Sequence, residues 1–590
     1  MCGILAIASP ARKLEKNEVE KMLAVLSHRG KDNKTVVLRH DGKIGMGHVR
    51  LSLIDLSEQA NQPMCNENET IWLTFNGEIY NFIELRNELI QLGHIFKSRS
   101  DAEVIIHGYE QWGTDVLQRL NGMFAFVIYD EKTHRMFIAR DRIGIKPLYF
   151  SFFKQNLMVA SEIKSILQHP EFIKEINETS LCEYFTYRYV PSPNTIFKNI
   201  SKLPPAFYLM VDTHTLEYRE HEYWTLSLDD KPFNDNLEEE VHKKLNASVV
   251  MHLQSDVPVG IFLSSGIDSS TIAYLTQKNK YNPQAFTIGF ETWDKSEHIR
   301  AREIATQLEI EYKEKILTAD SIKNIYESVY HYDEPIADIS IVPTFEISRF
   351  ASSQVRTVLS GEGGDELFAG YGWHKKWMRQ QLLNQIGIGL NNNYLVNYYA
   401  QSMAMGMFDE NELKELLPND KWEFKPEDVF HFYRKHYKKG VDPLKALQYL
   451  DLKTFLAELV LTKVDRASMA HTLEVRVPFL NHELVEFMFL LPRKQVFKKG
   501  EQKYLLQNVL KSKIEASILQ QPKQGFVGPD KFYEQKLFYS EKLKKSKLAQ
   551  NGYLKQTTIN KYLQMNDFWR LWKILILENW FNYWILDEKS

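Results

Sequence analysis

The strongest constraint on the fold is a change of pattern across the polar stretch LSLDDKPFNDN (226–236). Ahead of it, short apolar runs alternate with helical segments and tight turns. TIWLTFNGEIY (70–80) reads as a strand entering a turn. NFIELRNELIQLG (81–93) carries apolar residues at helical spacing and stops at a glycine. MFAFVIYD and RMFIARD flank residues 131–134 as a hairpin, and a second hairpin turns around 154–156. This is an α+β pattern. Behind the polar stretch, a long helical run reaching Gln254 is followed by the strand VPVGIFL, a small-residue turn, a helix, the strand QAFTIGF, another helix and the strand VRTVLS. Strands alternating with helices predict a parallel, doubly wound α/β sheet, and beyond about Gly370 the pattern is largely helical. Domains are expected at 1–225 and 237–590 with 226–236 as linker, because 590 residues exceed the ~300 that one core usually supports.

Composition narrows the function. A net charge of −3 gives no basis for a nucleic-acid or anionic-membrane partner. Cys2, Cys65 and Cys182 are too few, and odd in number, for a disulfide framework; no CxxC or Cys/His spacing suggests a metal site, and a cytoplasmic location is expected. The apolar run 4–8 is too short for a signal peptide. The stretch 568–586 is interrupted by Arg570, Lys573 and Glu578. It is expected to be a closing helix that buries one face, Trp569, Trp572, Ile576, Trp580 and Trp584, and not a membrane span.

Two places carry chemistry. Removal of Met1 would leave Cys2 with both a thiol and a free α-amine, whose ordinary pKa of roughly 7.7–8.0 suits it as a base near neutrality. Residues 264–270 (SSGIDSS) lie between a predicted strand and helix. Small residues let a backbone approach phosphate, the helix start offers unpaired N–H donors, and Asp268 can hold magnesium. The turn lacks the lysine of a Walker A loop, so it suits pyrophosphate and adenylation more than γ-phosphoryl transfer. A second turn, SGEGGDE (360–366), places Glu362, Asp365 and Glu366 after another predicted strand, where open α/β sheets bind ligands.

With these pieces in place, nearly the whole chain resembles the glutamine-hydrolysing asparagine synthetases. MCGI, HRG (28–30), GHVRLSLID (47–55), QPM (62–64), NGEIYN (76–81), SDAEV (100–104) and ARDRIGIKPLY (139–149) match, in order, a class II glutamine amidotransferase. That resemblance implies an N-terminal-nucleophile hydrolase fold, an αββα sandwich. It implies that Cys2 attacks the glutamine amide and that Asn76 and the N–H of Gly77 form the oxyanion hole. Arg50 would clamp the glutamine α-carboxylate, Leu51, Ser52, Leu53 and Ile54 would line the site, and Glu78 and Asp101 would accept from the α-amine. The second half resembles the adenylating, ATP-pyrophosphatase-type synthetase domain. The match supplies Leu263, Ser264, Gly266, Asp268, Ser269, Ile288, Ser360 and Gly361 for ATP, Glu362 for acyl-adenylate formation, Asp268 and Asp365 for Mg2+, and Lys503 to steady the transition state. DRASMAHTLEVRVPFL (465–480) is a further specific stretch. The chain departs from the family pattern at Lys31, Ser265, Asn481 and Gln521.

The implied reaction adenylates a carboxylate with ATP, releases ammonia from glutamine, and joins the two. The acceptor is aspartate or, alternatively, a sugar acid, cell-wall peptide or peptide natural product. A non-catalytic scaffold is the reading from another class; it would be signalled by loss of Cys2 or Asp268, and both are present. Small-molecule substrates are the expected partners, and the family is compatible with a homodimer. A water-excluding ammonia passage between the domains is expected, since ammonium has no lone pair to attack with.

Overall fold

The computed structural model describes residues 2–233, 235–291, 293, 296–384, 393–418, 428–498, 500–511, 513–515 and 528–588. The first 222 residues form strands β1 Gly3–Ala8, β2 Asn33–Arg39, β3 Ile44–Arg50, β4 Met64–Cys65, β5 Ile71–Ile79, β6 Gly122–Asp130, β7 Arg135–Arg140, β8 Tyr149–Phe153, β9 Asn156–Ala160, β10 Ser201–Lys202, β11 Phe207–Asp212 and β12 Tyr218–Glu222. They make two six-stranded antiparallel sheets, β10-β8-β9-β1-β3-β2 and β12-β11-β7-β6-β5-β4. Period-two alternation decides what each strand faces. In β6, Ala125, Val127 and Tyr129 point into the core between the sheets, where Ile4 and Ala6 of β1 meet them. Phe124, Phe126 and Ile128 point outward onto the helices Phe82–Gln91 and Glu103–Trp112. Leu5 and Ile7 of β1 likewise join the core that includes Val19, Met22 and Leu23 of the helix Lys16–Ala24. The result is a helix–sheet–sheet–helix sandwich, the architecture expected from the sequence.

Both expected hairpins form, β6–β7 and β8–β9. The expected strand entering a turn forms as well, with β5 ending at Ile79 and the turn at 80–81. Asn76 and Gly77 stay inside β5, opposite Ala125 and Phe124. Gly77 is required there because a Cβ would lie 2.1 Å from the Met123 carbonyl oxygen.

No regular element occupies the described residues between Glu222 and the helix Leu237–His252. Beyond it, β13 Val259–Phe262, β14 Gln284–Phe290, β15 Glu311–Leu317, β16 Thr357–Leu359 and β17 Glu474–Arg476 form one parallel sheet in the order β15-β14-β13-β16-β17. The chain moves outward from β13 through β14 to β15, then returns to place β16 on β13's other side. That reversal is a topological switch point, where sheets of this kind bind ligands. β15 and β17 escape the sequence pattern. β15 is charged and half-exposed (EYKEKIL), and β17 is three residues in a mostly helical region.

The closing helix Phe568–Trp584 corrects the expectation of one buried face. Every residue from 571 to 581 is buried, whereas Trp569 is 38% exposed. The Trp580 indole donates to the Asp333 carbonyl at 2.6 Å, and buried Lys573 donates to the carbonyls of Phe185 (2.9 Å) and Gly406 (2.7 Å). The helix is thus a wedge between the two halves. Among the described residues no helix is long and apolar enough to cross a membrane.

Candidate active sites

Cys2 is buried at the start of β1. Its backbone N–H donates to Asn76 Oδ1 at 3.0 Å, and its Sγ lies 4.0 Å from the Leu51 carbonyl oxygen. The Asn76 Nδ2 is buried and has no hydrogen-bond partner among the described residues. An unmet buried donor is costly, and this one belongs to the same side chain that holds the Cys2 backbone. Burial pushes the Cys2 thiol above its ordinary value, Glu474 adds to the rise, and Arg50 opposes it. The resting thiol therefore holds its proton and needs a base to become a nucleophile.

Arg50 is buried, and its guanidinium donates to the Ser57 carbonyl (2.7 Å), Asn61 Oδ1 (3.0 Å), the Ile54 carbonyl (3.4 Å) and the Asp55 carbonyl. It fixes the loop after β3 as a rim. The Ser52 N–H donates to Asp32 Oδ2 at 2.8 Å, and the Leu53 carbonyl accepts from the N–H of Asp256 in the second half at 2.8 Å. Asp101 accepts from the Ile79 N–H at 2.9 Å, and burial pushes its pKa up to about 6. Glu78 is buried too, which raises its pKa despite Arg476, whose guanidinium stands 3.0 Å away. The first domain's predicted residues are thus brought together, Arg50 by way of its loop.

The sequence reading missed the side chains that complete this pocket from the second half. Arg476 on β17 also binds Glu474 at 2.6 Å and donates to the His252 and Gln254 carbonyls. Arg29 donates to the Cys2 carbonyl at 2.9 Å and pairs with Asp465 (2.9 Å) and Glu162 (2.8 Å), all buried. Arg466 and Glu162 continue this seam at 2.9 Å. The only sequence signal was the specificity of HRG and of 465–480, which named the segments without pairing them.

The second site sits at the switch point. Leu263 follows β13, and its N–H donates to the Phe286 carbonyl on β14 at 3.0 Å; Ile288 is buried further along β14. Ser264 and Ser269 clasp the turn, their hydroxyls 3.0 Å apart, while the Ser264 hydroxyl accepts from the Gly266 N–H at 3.1 Å. Gly266 caps the helix Ile267–Lys278. The turn after β16 packs directly onto this one: a Cβ at Gly361 would meet Asp268 Cβ at 3.1 Å, and one at Gly364 would lie 2.5 Å from Asp268 Cγ. Asp268 and Asp365 converge on the Lys503 ammonium, Asp365 at 2.8 Å. Burial opposes the lysine's charge, but the two carboxylates outweigh it and hold Lys503 protonated. Glu362 Oε2 is buried without a hydrogen-bond partner among the described residues. Glu366 is buried and takes the Tyr371 hydroxyl at 2.7 Å; burial and Asp365 push its pKa up to about 8. Two hard carboxylates meeting at one cationic point form a donor set suited to magnesium.

Of the departures, the Ser265 hydroxyl faces Glu297 at 3.3 Å. Asn481 caps the helix His482–Leu490 and donates to Asn121 Oδ1 of the first half at 3.1 Å, which makes it a structural contact between the halves. Gln521 lies outside the described residues.

The two sites share a residue. The Ser360 N–H, opening the second nucleotide turn, donates to the Arg476 carbonyl at 2.9 Å, while the Arg476 side chain holds Glu78 beside the thiol pocket.

Comparison with known proteins agrees with this division. Residues 1–224 match the glutamine amidotransferase domain family and residues 240–582 the asparagine synthase family. The chain is 32% identical over 561 residues to asparagine synthetase [glutamine-hydrolyzing] 1 of Bacillus subtilis, covering 90% of this chain and 87% of that protein. It is 34% identical over 577 residues to a putative asparagine synthetase of Mycobacterium tuberculosis, covering 90% and 88%. It is also 28% identical over 611 residues to amidase chry2 of Gibberella zeae, covering 90% of each. The chain belongs to the asparagine synthetase family of ATP-dependent carbon–nitrogen ligases that draw their nitrogen from glutamine.

Proposed function

We propose that this chain is a glutamine-dependent asparagine synthetase, with a glutaminase domain at 1–225, a linker at 226–236 and an adenylating synthetase domain at 237–590. The observation that carries the proposal is Arg476, whose carbonyl holds the nucleotide turn and whose guanidinium holds the amide pocket.

In the glutaminase half, the α-amine of a processed Cys2 takes the thiol proton and the thiolate attacks the glutamine side-chain carbonyl. Asn76 Nδ2 and the Gly77 N–H receive the oxyanion, a role in which one lost donor typically costs about 2.7–4 kcal/mol of barrier. The loop that Arg50 rims binds the α-carboxylate, and Asp101 and Glu78 accept from the α-ammonium. Ammonia leaves and water resolves the thioester.

In the synthetase half, the backbone of 264–269 and of 360–361 grips ATP. A carboxylate is a poor electrophile until it is joined to AMP, which makes a good leaving group at its carbonyl carbon. Asp268 and Asp365 would hold Mg2+, which when bound supplies charge neutralisation for the departing pyrophosphate. Lys503 steadies negative charge as the acyl-adenylate forms and Glu362 borders the acceptor. Ammonia then displaces AMP. The buried interface supports transfer without exposure to bulk water. A cytoplasmic enzyme acting on small molecules, alone or as a homodimer, fits this reading.

The acceptor is the point of choice. The asparagine synthetases among the relatives favour aspartate; the similarity to proteins named amidases favours a second reading, amidation of another carboxylate by the same apparatus. Purified protein given glutamine, ATP and aspartate is expected to yield asparagine. Inert aspartate, with ATP-dependent amidation of a different acid, would replace the first reading by the second.

A further inference from the structure

Three turns of the amidotransferase sandwich bring histidines together that are far apart in sequence. His40 lies in the turn between β2 and β3, His134 in the turn between β6 and β7, and His214 in the turn between β11 and β12. The first turn belongs to one sheet and the other two to its partner. The ring centroids are 4.9 Å (His40–His134), 5.2 Å (His40–His214) and 4.5 Å (His134–His214) apart. One nitrogen from each ring falls within 4.8 Å of the others. The backbone fixes this grouping independently of the rings. The Thr213 N–H and hydroxyl both donate to the His134 carbonyl at 2.9 Å, the His214 N–H donates to Asp212 Oδ1 at 2.9 Å, and Arg39 at the end of β2 bonds Glu131 of the second turn at 2.9 Å.

The rings themselves have little else to do. His134 Nδ1 is buried and has no hydrogen-bond partner among the described residues. A second cluster, His94, His107 and Glu110, makes the contrast. There the groups already satisfy one another: His107 pairs with Glu110 at 2.8 Å and Glu103 at 3.6 Å, and these partners outweigh burial and push it up to about 9. That cluster is an ion-pair network with its ligand atoms in use.

We propose that His40, His134 and His214 form a binding site for a zinc-class divalent metal ion that clips the two sheets together. Neutral imidazoles are the common ligands of such ions, and the half-exposed to exposed setting leaves a fourth position to water. Tetrahedral zinc with Zn–N near 2.0–2.1 Å needs nitrogens about 3.4 Å apart, so the nitrogens, all within 4.8 Å of one another, draw closer by at most about 1.4 Å on binding, a rotation that surface turns allow. The six residues of β1, about 20 Å long at 3.4 Å per residue, separate this end of the sandwich from Cys2. The site is therefore stabilising and lies apart from the glutamine chemistry.

The test is equilibrium dialysis of the chelator-stripped full chain against Zn2+ alone, with the Co2+ electronic spectrum as a second readout. One equivalent is expected to bind, with a tetrahedral Co2+ spectrum and a zinc-dependent rise in Tm. His40→Asn, His134→Asn and His214→Asn should each weaken binding at least about tenfold and abolish the rise in Tm, with circular dichroism unchanged. His107→Asn and Cys2→Ala should leave binding intact. The proposal is overturned if the parent protein binds no zinc, if the triple His→Asn variant binds it as tightly, or if the site is lost with Cys2.

Discussion

The thiol pocket and the nucleotide turns solve opposite assembly problems. The nucleotide site is written locally: residues 264–269 and 360–365 are two short segments, each following a strand of one parallel sheet, and neighbouring strands bring them into contact. The thiol pocket is gathered from a distance: Cys2, Arg29, Asn76, Asp101, Glu474 and Arg476 come from both halves, and antiparallel register plus an interdomain seam set their positions. Their electrostatics differ in the same way. At the turns after β13 and β16 two carboxylates keep Lys503 charged. Around Cys2, burial holds the thiol protonated and raises both Glu78 and Asp101. The two turns meet when the parallel sheet pairs β13 with β16, and Lys503 joins them from a later segment, whereas the thiol pocket is complete only when the second half is docked.

The largest expected effect separates the two regions outright. Cys2→Ala should lower glutamine-driven synthesis by at least about a thousandfold while ammonia-driven synthesis stays within about twofold. Parallel loss of both activities would mean that the regions are not separable. Next, Lys503→Gln should reduce pyrophosphate release about a hundred- to a thousandfold, on the scale of other lost electrostatic contacts to a transition state. Glutamine hydrolysis should survive it. Arg476→Met probes the shared residue. It leaves Glu78 and Glu474 buried without their cation, a loss that typically costs about 3–5 kcal/mol; urea denaturation reads the stability, and both half-reactions should weaken together. An effect confined to one half would break the link assigned to Arg476.

The smallest effect is a pH profile. Burial pushes the Asp101 pKa up to about 6, and in the proposed glutamine site its ionised form would receive the α-ammonium. Glutaminase kcat/KM should therefore rise with pH through about 6, falling about tenfold per unit below it. Asp101→Asn should lower the plateau and flatten that acid limb. An unchanged limb in the variant would assign the titration to another group.

How much of this was legible in the sequence follows from the same contrast. The two turns after β13 and β16 were readable as turns because small residues, a helix start and an acid at fixed spacing have local causes. Period-two strands such as β6 made the α+β pattern of the first half readable, and the αββα sandwich followed only from the resemblance carried by the ordered motifs. β17 was not readable. Three residues in a helical region carry no periodicity, and its position depends on pairing with β16 across more than a hundred residues. Arg476 and Glu474 were hidden with it. The all-round burial of the closing helix was equally hidden, because an apolar stripe with polar interruptions reads as one buried face when the partner of Lys573, a pair of carbonyls in other segments, is unknown. The three histidines share no spacing at all; only the ends of three hairpins bring them together.

The central claim is that one polypeptide couples amide hydrolysis at a thiol to adenylation of an acid. Its most direct measurement is the nucleotide product formed by the purified enzyme supplied with glutamine, ATP and aspartate. AMP and pyrophosphate are expected in a one-to-one ratio with asparagine, and the same nucleotide products from Cys2→Ala supplied with ammonia. ADP and orthophosphate in their place would contradict that claim.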